Sequence, residues 1–242
     1  MMSRRRQPEQ LLLSFDEEPG KKRRPGKGKR LGRPRKPNAG VSHLRREDFS
    51  PRHPVHVTLK VQREVGNLRS ARLYGAVERS IALARDRHGA RLVHFSVQDD
   101  HIHLVVEAGG KAALAQAVQA LCVRIARQLN RARGVKGRVF ADRYHRRVMT
   151  TPTHVHNTLA YVLLNGQKHG YRNPEEMDQD IDDRSSGAWF TGWKERRAAD
   201  LAAQGRRARP IAPVVEARTW LLREGWRRVG PISMDREPRC PW

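Results

Sequence analysis

Residues 91–107 read RLVHFSVQDDHIHLVVE, and this stretch decides the fold. The run over 91–97 predicts a strand, Gln98-Asp99-Asp100 a tight turn, and residues 101–107 a strand folding back on the first. Side chains alternate along a strand, so His101 and His103 project to one face, a few ångströms apart. Such a pair is a usable two-point clamp for a metal ion, although the spacing by itself is more often incidental.

The same spelling recurs at His154-Val155-His156. That copy lies in a segment of helical periodicity, where two positions are about 200° apart around the axis. Its imidazoles diverge and cannot share an ion. Only the strand-borne pair qualifies.

Outward from this hairpin, residues 53–61 (HPVHVTLKV) set Val55, Val57, Leu59 and Val61 at period two, a half-buried strand. Residues 68–88 carry a helical repeat that Gly89 is expected to close as a cap. Residues 111–133 form the clearest helix, with Leu114, Val118, Leu121, Ile125 and Leu129 on one stripe and Arg124, Arg127, Arg131 and Arg133 on its far side. A hairpin-like stretch over 137–150 follows. A last helix is predicted from about 152 to 168, with Pro152 at its start and Gly170 past its end. The order strand, helix, strand, strand, helix, strand, helix predicts an α+β fold. It is a ferredoxin-like split βαβ antiparallel sheet with two helices on one face and the other face open to a ligand.

A metal ion needs more than two ligands, and the last helix offers candidates. Its apolar stripe is Val155, Leu159, Val162 and Leu163. A second row, roughly 100–120° away, runs through His154, Thr158, Tyr161 and Asn165. With this row turned toward the open sheet face, Asn165 offers a carbonyl oxygen as third ligand and Tyr161 hangs a phenol beside it. Mixed nitrogen and oxygen ligands without thiolate suit Mg2+ or Mn2+, and two-histidine sites also take zinc or other transition ions. Taken alone, Tyr161 reads as a half-buried helix aromatic with its hydroxyl in water.

Charge narrows the partner. The 242 residues include 49 Lys and Arg against 25 Asp and Glu, a net charge of +24. Residues 1–50 hold 15 basic and 6 acidic residues, so most of the excess, +15, belongs to residues 51–242. A folded part that basic points to a polyanion, most commonly nucleic acid. No run of about 18 apolar residues exists, so neither a transmembrane helix nor a membrane partner is expected. Leu11-Leu12-Leu13 is too short for a signal-peptide core. Two cysteines, Cys122 and Cys240, argue against zinc fingers and a disulfide framework, and for a reducing cytoplasm.

Residues 1–50, rich in Lys, Arg, Pro and Gly, are expected to form a disordered basic arm. Within it, residues 30–37 (RLGRPRKP) are similar to an AT-hook, which would lay Arg33 and Arg35 in a narrow minor groove; a generic basic linker is the plainer reading. Residues 51–172 make the main domain and 173–242 a C-terminal docking tail. All five tryptophans, Trp189, Trp193, Trp220, Trp226 and Trp242, fall in the last 54 residues. Packing against the parent domain is favoured for them over base stacking.

Taken in order, a strand with His101-Ile102-His103, a helix, Gly137-x-Val139-Phe140-x-x-Arg143-Tyr144 and Tyr161-x-x-x-Asn165 resemble the single-tyrosine HUH transposases. The REP-associated tyrosine transposases and their insertion-sequence relatives are the most similar branch. The matching stretches are HPVHVTLK (53–60), SVQDDHIHLVVE (96–107), LNRARGVKGRVFADR (129–143), YVLLN (161–165) and SSGAWFTGW (185–193), the last resembling a distal Ser-Ser-x-x-Trp element. Two departures stand out. Asp100 replaces the usual Asn before the histidine pair, and Asn165-Gly166 replaces Asn-Pro.

The resemblance implies a divalent cation, Mg2+ or Mn2+, held by His101, His103 and Asn165. It implies Tyr161 as the nucleophile that forms a 5′-phosphotyrosine on single-stranded, hairpin-bearing DNA. Arg124, Arg127, Arg131, Arg138, Arg143, Arg146 and Arg147 would then lie along the phosphates, although each taken singly reads equally well as a solvated position. A monomer or homodimer in the bacterial cytoplasm, associated with the nucleoid, is the implied setting. Tyr144 is the rival nucleophile, disfavoured because no Asn lies one helical turn away. The competing functions are a DNA-binding protein of this fold that no longer cuts, acting on repeat elements, and an RNA-binding module. The second lacks aromatic stacking platforms on its predicted strands.

Overall fold

The computed structural model describes residues 46–168, 181–208 and 211–236; Arg33, Arg35, the AT-hook-like segment, Gly170, Cys240 and Trp242 lie outside the described residues. The chain runs β1 (Val55–Lys60), α1 (Ala71–Ala84), β2 (Asp86–Arg87), β3 (Ala90–Val97), β4 (His101–Ala108), α2 (Lys111–Arg133), β5 (His145–Val148), α3 (Pro152–Leu163), α4 (Asn165–Lys168), α5 (Arg196–Ala208) and α6 (Trp220–Arg223). One antiparallel sheet has the strand order β2-β3-β4-β1-β5. Without the two-residue β2, that is the split βαβ order the sequence predicts.

Strand alternation sorts the apolar side chains into two cores. Val55, Val57 and Leu59 of β1 and Ile102, Leu104 and Val106 of β4 face Leu73, Val77 and Ile81 of α1 and the predicted stripe of α2, Leu114 to Leu129. Val93 and Val105 point the other way and meet Val155, Leu159, Val162 and Leu163 of α3, together with Phe190, Trp193, Leu221, Leu222 and Trp226. The face expected to stand open is therefore covered over part of its length. The apolar stripe of α3 needs a partner, and α1 and α2 already occupy the opposite face.

Three local readings are corrected. Gly89 does not cap a helix. α1 stops at Ala84, and His88-Gly89 form the two-residue turn of a β2–β3 hairpin, both with positive φ (55° and 68°), as a type I′ turn requires. The stretch 137–150 is not a hairpin: β5 pairs with β1, and Phe140 makes only an isolated bridge to Val61. The last helix is not continuous to Lys168. Leu164 (φ −102°, ψ 4°) breaks it, so Tyr161 lies in the last turn of α3 while Asn165 begins α4.

The segment after residue 181 docks along the sheet. Ser185 bridges Ser96, the Val97 amide donates to the Arg184 carbonyl (2.9 Å), and the Ser186 hydroxyl accepts from the Phe95 amide (2.9 Å). The distal Ser-Ser pair thus adds to the outer edge of β3. Trp193 and Trp226 are buried in the second core, Trp189 packs against the first, and Trp220 stays 45% exposed. No helix among the described residues is long and apolar enough to cross a membrane.

Glu107 pins the far end of this segment. Its buried carboxylate accepts from the amides of Arg218 (2.9 Å) and Thr219 (2.7 Å) and from the Thr219 hydroxyl (2.8 Å), with Arg91 Nε 3.7 Å away. Removing one member of such a network leaves the others buried and unsatisfied. Glu107→Ala is expected to destabilise the protein by roughly 2–4 kcal/mol, read as a lowered denaturation midpoint, with residues 218–223 gaining hydrogen exchange first. An unchanged midpoint would show that this anchor contributes nothing.

Candidate functional site

The pleat of β4 puts His101 and His103 on the α3 side of the sheet, their ring centroids 4.6 Å apart. Each Nδ1 is engaged by a neighbour. The Asp100 carboxylate lies 2.6 Å from His101 Nδ1, and His56 Nε2 (3.1 Å) and the Thr58 hydroxyl (3.3 Å) flank His103 Nδ1. Partners on Nδ1 fix the ring orientation and leave Nε2 as the atom that could take an ion, the arrangement found in metal-binding histidines generally. Asp100, the departure from the usual Asn, supplies a charged version of that support. Partial burial pushes its carboxyl up, but the hydrogen bond and charge of His101, and then Lys60, outweigh burial and hold it below the usual carboxylate range.

His56 and Thr58 were not singled out in the sequence. Both lie on the polar phase of β1, where Val55, Val57 and Leu59 are the apolar phase. That alternation is visible, but the register that sets Thr58 opposite His103 is not. Burial lowers the His56 pKa to about 3, reinforced by the positive groups His145, Arg147 and His154, so its ring is neutral at pH 7. His56 Nε2 and His103 Nδ1 share one hydrogen, and the arrangement in which His103 Nδ1 donates it leaves a lone pair on His103 Nε2.

Of the predicted row, Tyr161 faces this strand. Thr158 is fully buried and caps back to the His154 carbonyl (2.8 Å). The Tyr161 ring lies edge-on to His103 (centroids 5.2 Å) and to His56 (6.2 Å). Asn165 is fully buried, and neither its Oδ1 nor its Nδ2 has a hydrogen-bond partner among the described residues. The Oε1 of buried Gln98 is in the same condition, while its Nε2 donates to Ser96, the residue opposite His103. A buried carboxamide with both ends unsatisfied is costly, and one that completes a ligand set is the ordinary reason to keep it. No cluster of three or more His, Cys, Asp or Glu is placed to hold a metal among the described residues, which leaves the buried amide of Asn165 as the candidate for a third protein ligand. The donor set fits a divalent ion with added water.

The neighbouring Gly166 is required by packing. A Cβ there would lie 2.6 Å from Asp182 Oδ2, so no side chain, proline included, fits without displacing that carboxylate. Asp182 in turn receives both Arg69 guanidinium nitrogens (2.9 and 2.8 Å), and Arg69 also donates to the Val97 carbonyl (2.9 Å). The Arg69–Asp182 pair thus ties α1, the end of β3 and the docked segment together beside Asn165.

The predicted arginines divide between two sides. Arg147, exposed on edge strand β5, pairs with His56 in register and rims the site with His145. Arg146 points the other way, donating to the Glu47 carbonyl and lying over Phe49. Arg138 donates to the carbonyls of Phe140 and Ala141, and Arg143 sits in the same exposed loop. Arg124, Arg127 and Arg131 are exposed on α2, across the sheet from the histidine pair. Tyr144 is also remote from it, sandwiched beneath the Arg46 guanidinium (3.6 Å) and packed on the first core. The control pair behaves as expected of a helix. His156 receives a hydrogen bond from Arg236 (3.1 Å), and His154 turns toward Arg147.

Residues 51–163 match the model of the IS200-like transposase family. Among solved structures, the chain is similar to a REP-associated tyrosine transposase bound to a REP hairpin, at 14% identity over 74% of this chain and 93% of that one, TM-score 0.46. It is also similar to a proposed transposase from Deinococcus radiodurans R1, at 15% identity over 55% and 95% of the two chains, TM-score 0.34. No curated protein matches the chain.

Burial also lowers the pKa of His94, whose ring meets the Ser186 hydroxyl, to about 4. A histidine buried neutral binds its proton more tightly in the unfolded chain. Its stabilisation is therefore complete above about pH 6.5 and is lost as the pH falls toward 4. Between pH 7 and 5 the Tm of metal-free protein should drop by several degrees more than that of His94→Gln. Parallel Tm profiles would show that His94 is not held neutral.

Proposed function

Given that the chain belongs, through residues 51–163, to the IS200-like family of transposases, we propose that it cuts and rejoins single-stranded, hairpin-bearing DNA with Tyr161 as nucleophile. The observation that carries this reading is the Tyr161 ring set 5.2 Å from His103, on the strand face where His101 and His103 stand together.

The Tyr161 phenol gives up its proton and its oxygen bonds to the scissile phosphorus. The bond from phosphorus to the 3′-oxygen breaks, and that oxygen takes a proton to leave a free 3′-OH, with the 5′-phosphate on Tyr161. A phenol, with a pKa of roughly 10, is a competent leaving group in turn, so a DNA 3′-OH can attack the phosphotyrosine and restore a phosphodiester. His101, His103 and Asn165 would hold Mg2+ or Mn2+, which when bound polarises the phosphate and offsets charge in the transition state. Asp100, His56 and Thr58 orient the two imidazoles, and buried Thr158 keeps the face of α3 beneath Tyr161 closed. Arg147 and His145 rim the site, Arg138 and Arg143 add basic charge in the neighbouring exposed loop, and Arg146 lies on the opposite side. Arg124, Arg127 and Arg131 on α2 serve DNA away from the cut, and Arg33 and Arg35 of the arm add phosphate contacts of their own. His101, His103 and Tyr161 come together within one chain, which supports a monomer as a sufficient unit.

Incubation with single-stranded hairpin DNA and Mg2+ or Mn2+, followed by a denaturing gel, tests this reading. A covalent protein–DNA adduct is expected from wild type and Tyr144→Phe, and none from Tyr161→Phe. An adduct that persists in Tyr161→Phe and vanishes in Tyr144→Phe would reassign the nucleophile. Tight binding with no cutting by any form would leave a DNA-binding protein that has lost the reaction.

A further inference from the structure

Among the described tryptophans, Trp220 differs from the rest. Trp193 and Trp226 are 9% and 2% exposed, whereas Trp220 is 45% exposed. It has not swung free of the protein. Its ring is seated on Gly225, where a Cβ would fall 2.8 Å from the ring edge, and the Arg228 guanidinium lies 4.9 Å from the ring centre. The backbone just before it is pinned by buried Glu107 through the amides of Arg218 and Thr219. An exposed indole on so rigid a mount pays little entropy on receiving a flat partner.

The ring opens into a cleft of about 650 Å3 that it shares with Arg52, His53, Pro152 and Arg218. The charged side chains lining it are basic and none is acidic. An aromatic face beside guanidinium groups is what an unpaired nucleobase and its phosphate require. The position is also right. Pro152 begins α3 and Tyr161 lies near its other end, about 14 Å along the axis. Between them, His154 on α3 and His145 and Arg147 on edge strand β5 flank the route.

We propose that Trp220 is a stacking platform for one unpaired base of the bound DNA strand, a few nucleotides from the phosphate that meets Tyr161. This rests on the reading of the protein as a single-strand DNA enzyme, but its test does not depend on cutting. Arg52 and Arg218 hold the phosphates flanking that base, and Arg228 braces the indole.

The test measures equilibrium binding of full-length protein to labelled DNA hairpins with single-stranded flanks, in which each flank nucleotide is replaced in turn by an abasic analogue. Wild type should show one flank position where the abasic site weakens binding by about five- to a hundredfold. In Trp220→Ala, intact DNA should bind that much more weakly and the abasic penalty at that position should vanish. Trp220→Phe should restore most of both. A penalty unchanged in Trp220→Ala, or no sensitive flank position in wild type, overturns the proposal. Circular dichroism of each variant separates this from misfolding, and if Trp220→Ala unfolds, the abasic scan is run on Trp220→Leu, which keeps apolar bulk without an aromatic face and should likewise lose the penalty at that position. The cutting assay reports separately. Coupling without any adduct keeps the platform and removes the enzyme, and an adduct without coupling does the reverse.

Discussion

In β4 the side chains of Ile102, Leu104 and Val106 turn into the helix-backed core, while His101, His103 and Val105 turn to the opposite face. This two-residue alternation governs everything built around it. Burying three such aliphatic side chains contributes on the order of 5–9 kcal/mol, comparable with the whole net stability of an ordinary domain. A slip of one residue would put both imidazoles among aliphatic side chains and the aliphatics in the polar face. The hydrophobic register therefore fixes the histidine pair, and the pair needs no other device to hold it at strand spacing. β1 enters by the same rule and brings Thr58 and His56 alongside His103.

Features that depend on local periodicity were legible in the sequence. The strand placement of His101 and His103, the full extent of α2, the order of elements and the row through Thr158 and Tyr161 all follow from periods of two and 3.6 residues. What was not legible depends on partners distant in the chain. Gly89 reads as a cap or a turn according to where α1 stops, and the helical repeat runs past Ala84 without marking an end. The break at Leu164 has only the Asn165-Gly166 pair just after it as a local signal, inside a helical repeat that runs on to Lys168. Gly166 gains its meaning only from Asp182, which no local pattern connects to it. The covering of the second face follows from the same limitation: the α3 stripe is readable, but its destination is the surface that α1 and α2 leave.

The basic excess is spread over both sides of the sheet. Arg147 and His145 border the histidine face, whereas Arg124, Arg127 and Arg131 stand on the opposite side with only basic and neutral residues along α2. A polyanion drawn to one side would leave the other charged, so a long or folded nucleic acid can be held by both. The aromatic residues are distributed by a different rule. Trp193 and Trp226 fill the core beneath the docked segment, and their burial holds the segment that presents Trp220.

The contacts that close the histidine face join residues far apart in the chain. Arg69 reaches Asp182 across 113 positions, and Glu107 reaches Thr219 across 112. A chain growing from the ribosome can assemble the sheet with α1 and α2 once about residue 148 has emerged, since those elements carry the first core. It cannot satisfy Arg69 before Asp182 is made, nor Glu107 before Thr219. The histidine-bearing face is therefore completed only after Thr219 has been made. A product stalled before Thr219 would carry the histidines and Tyr161 on a half-built scaffold, so the face they share matures only after both late anchors are made.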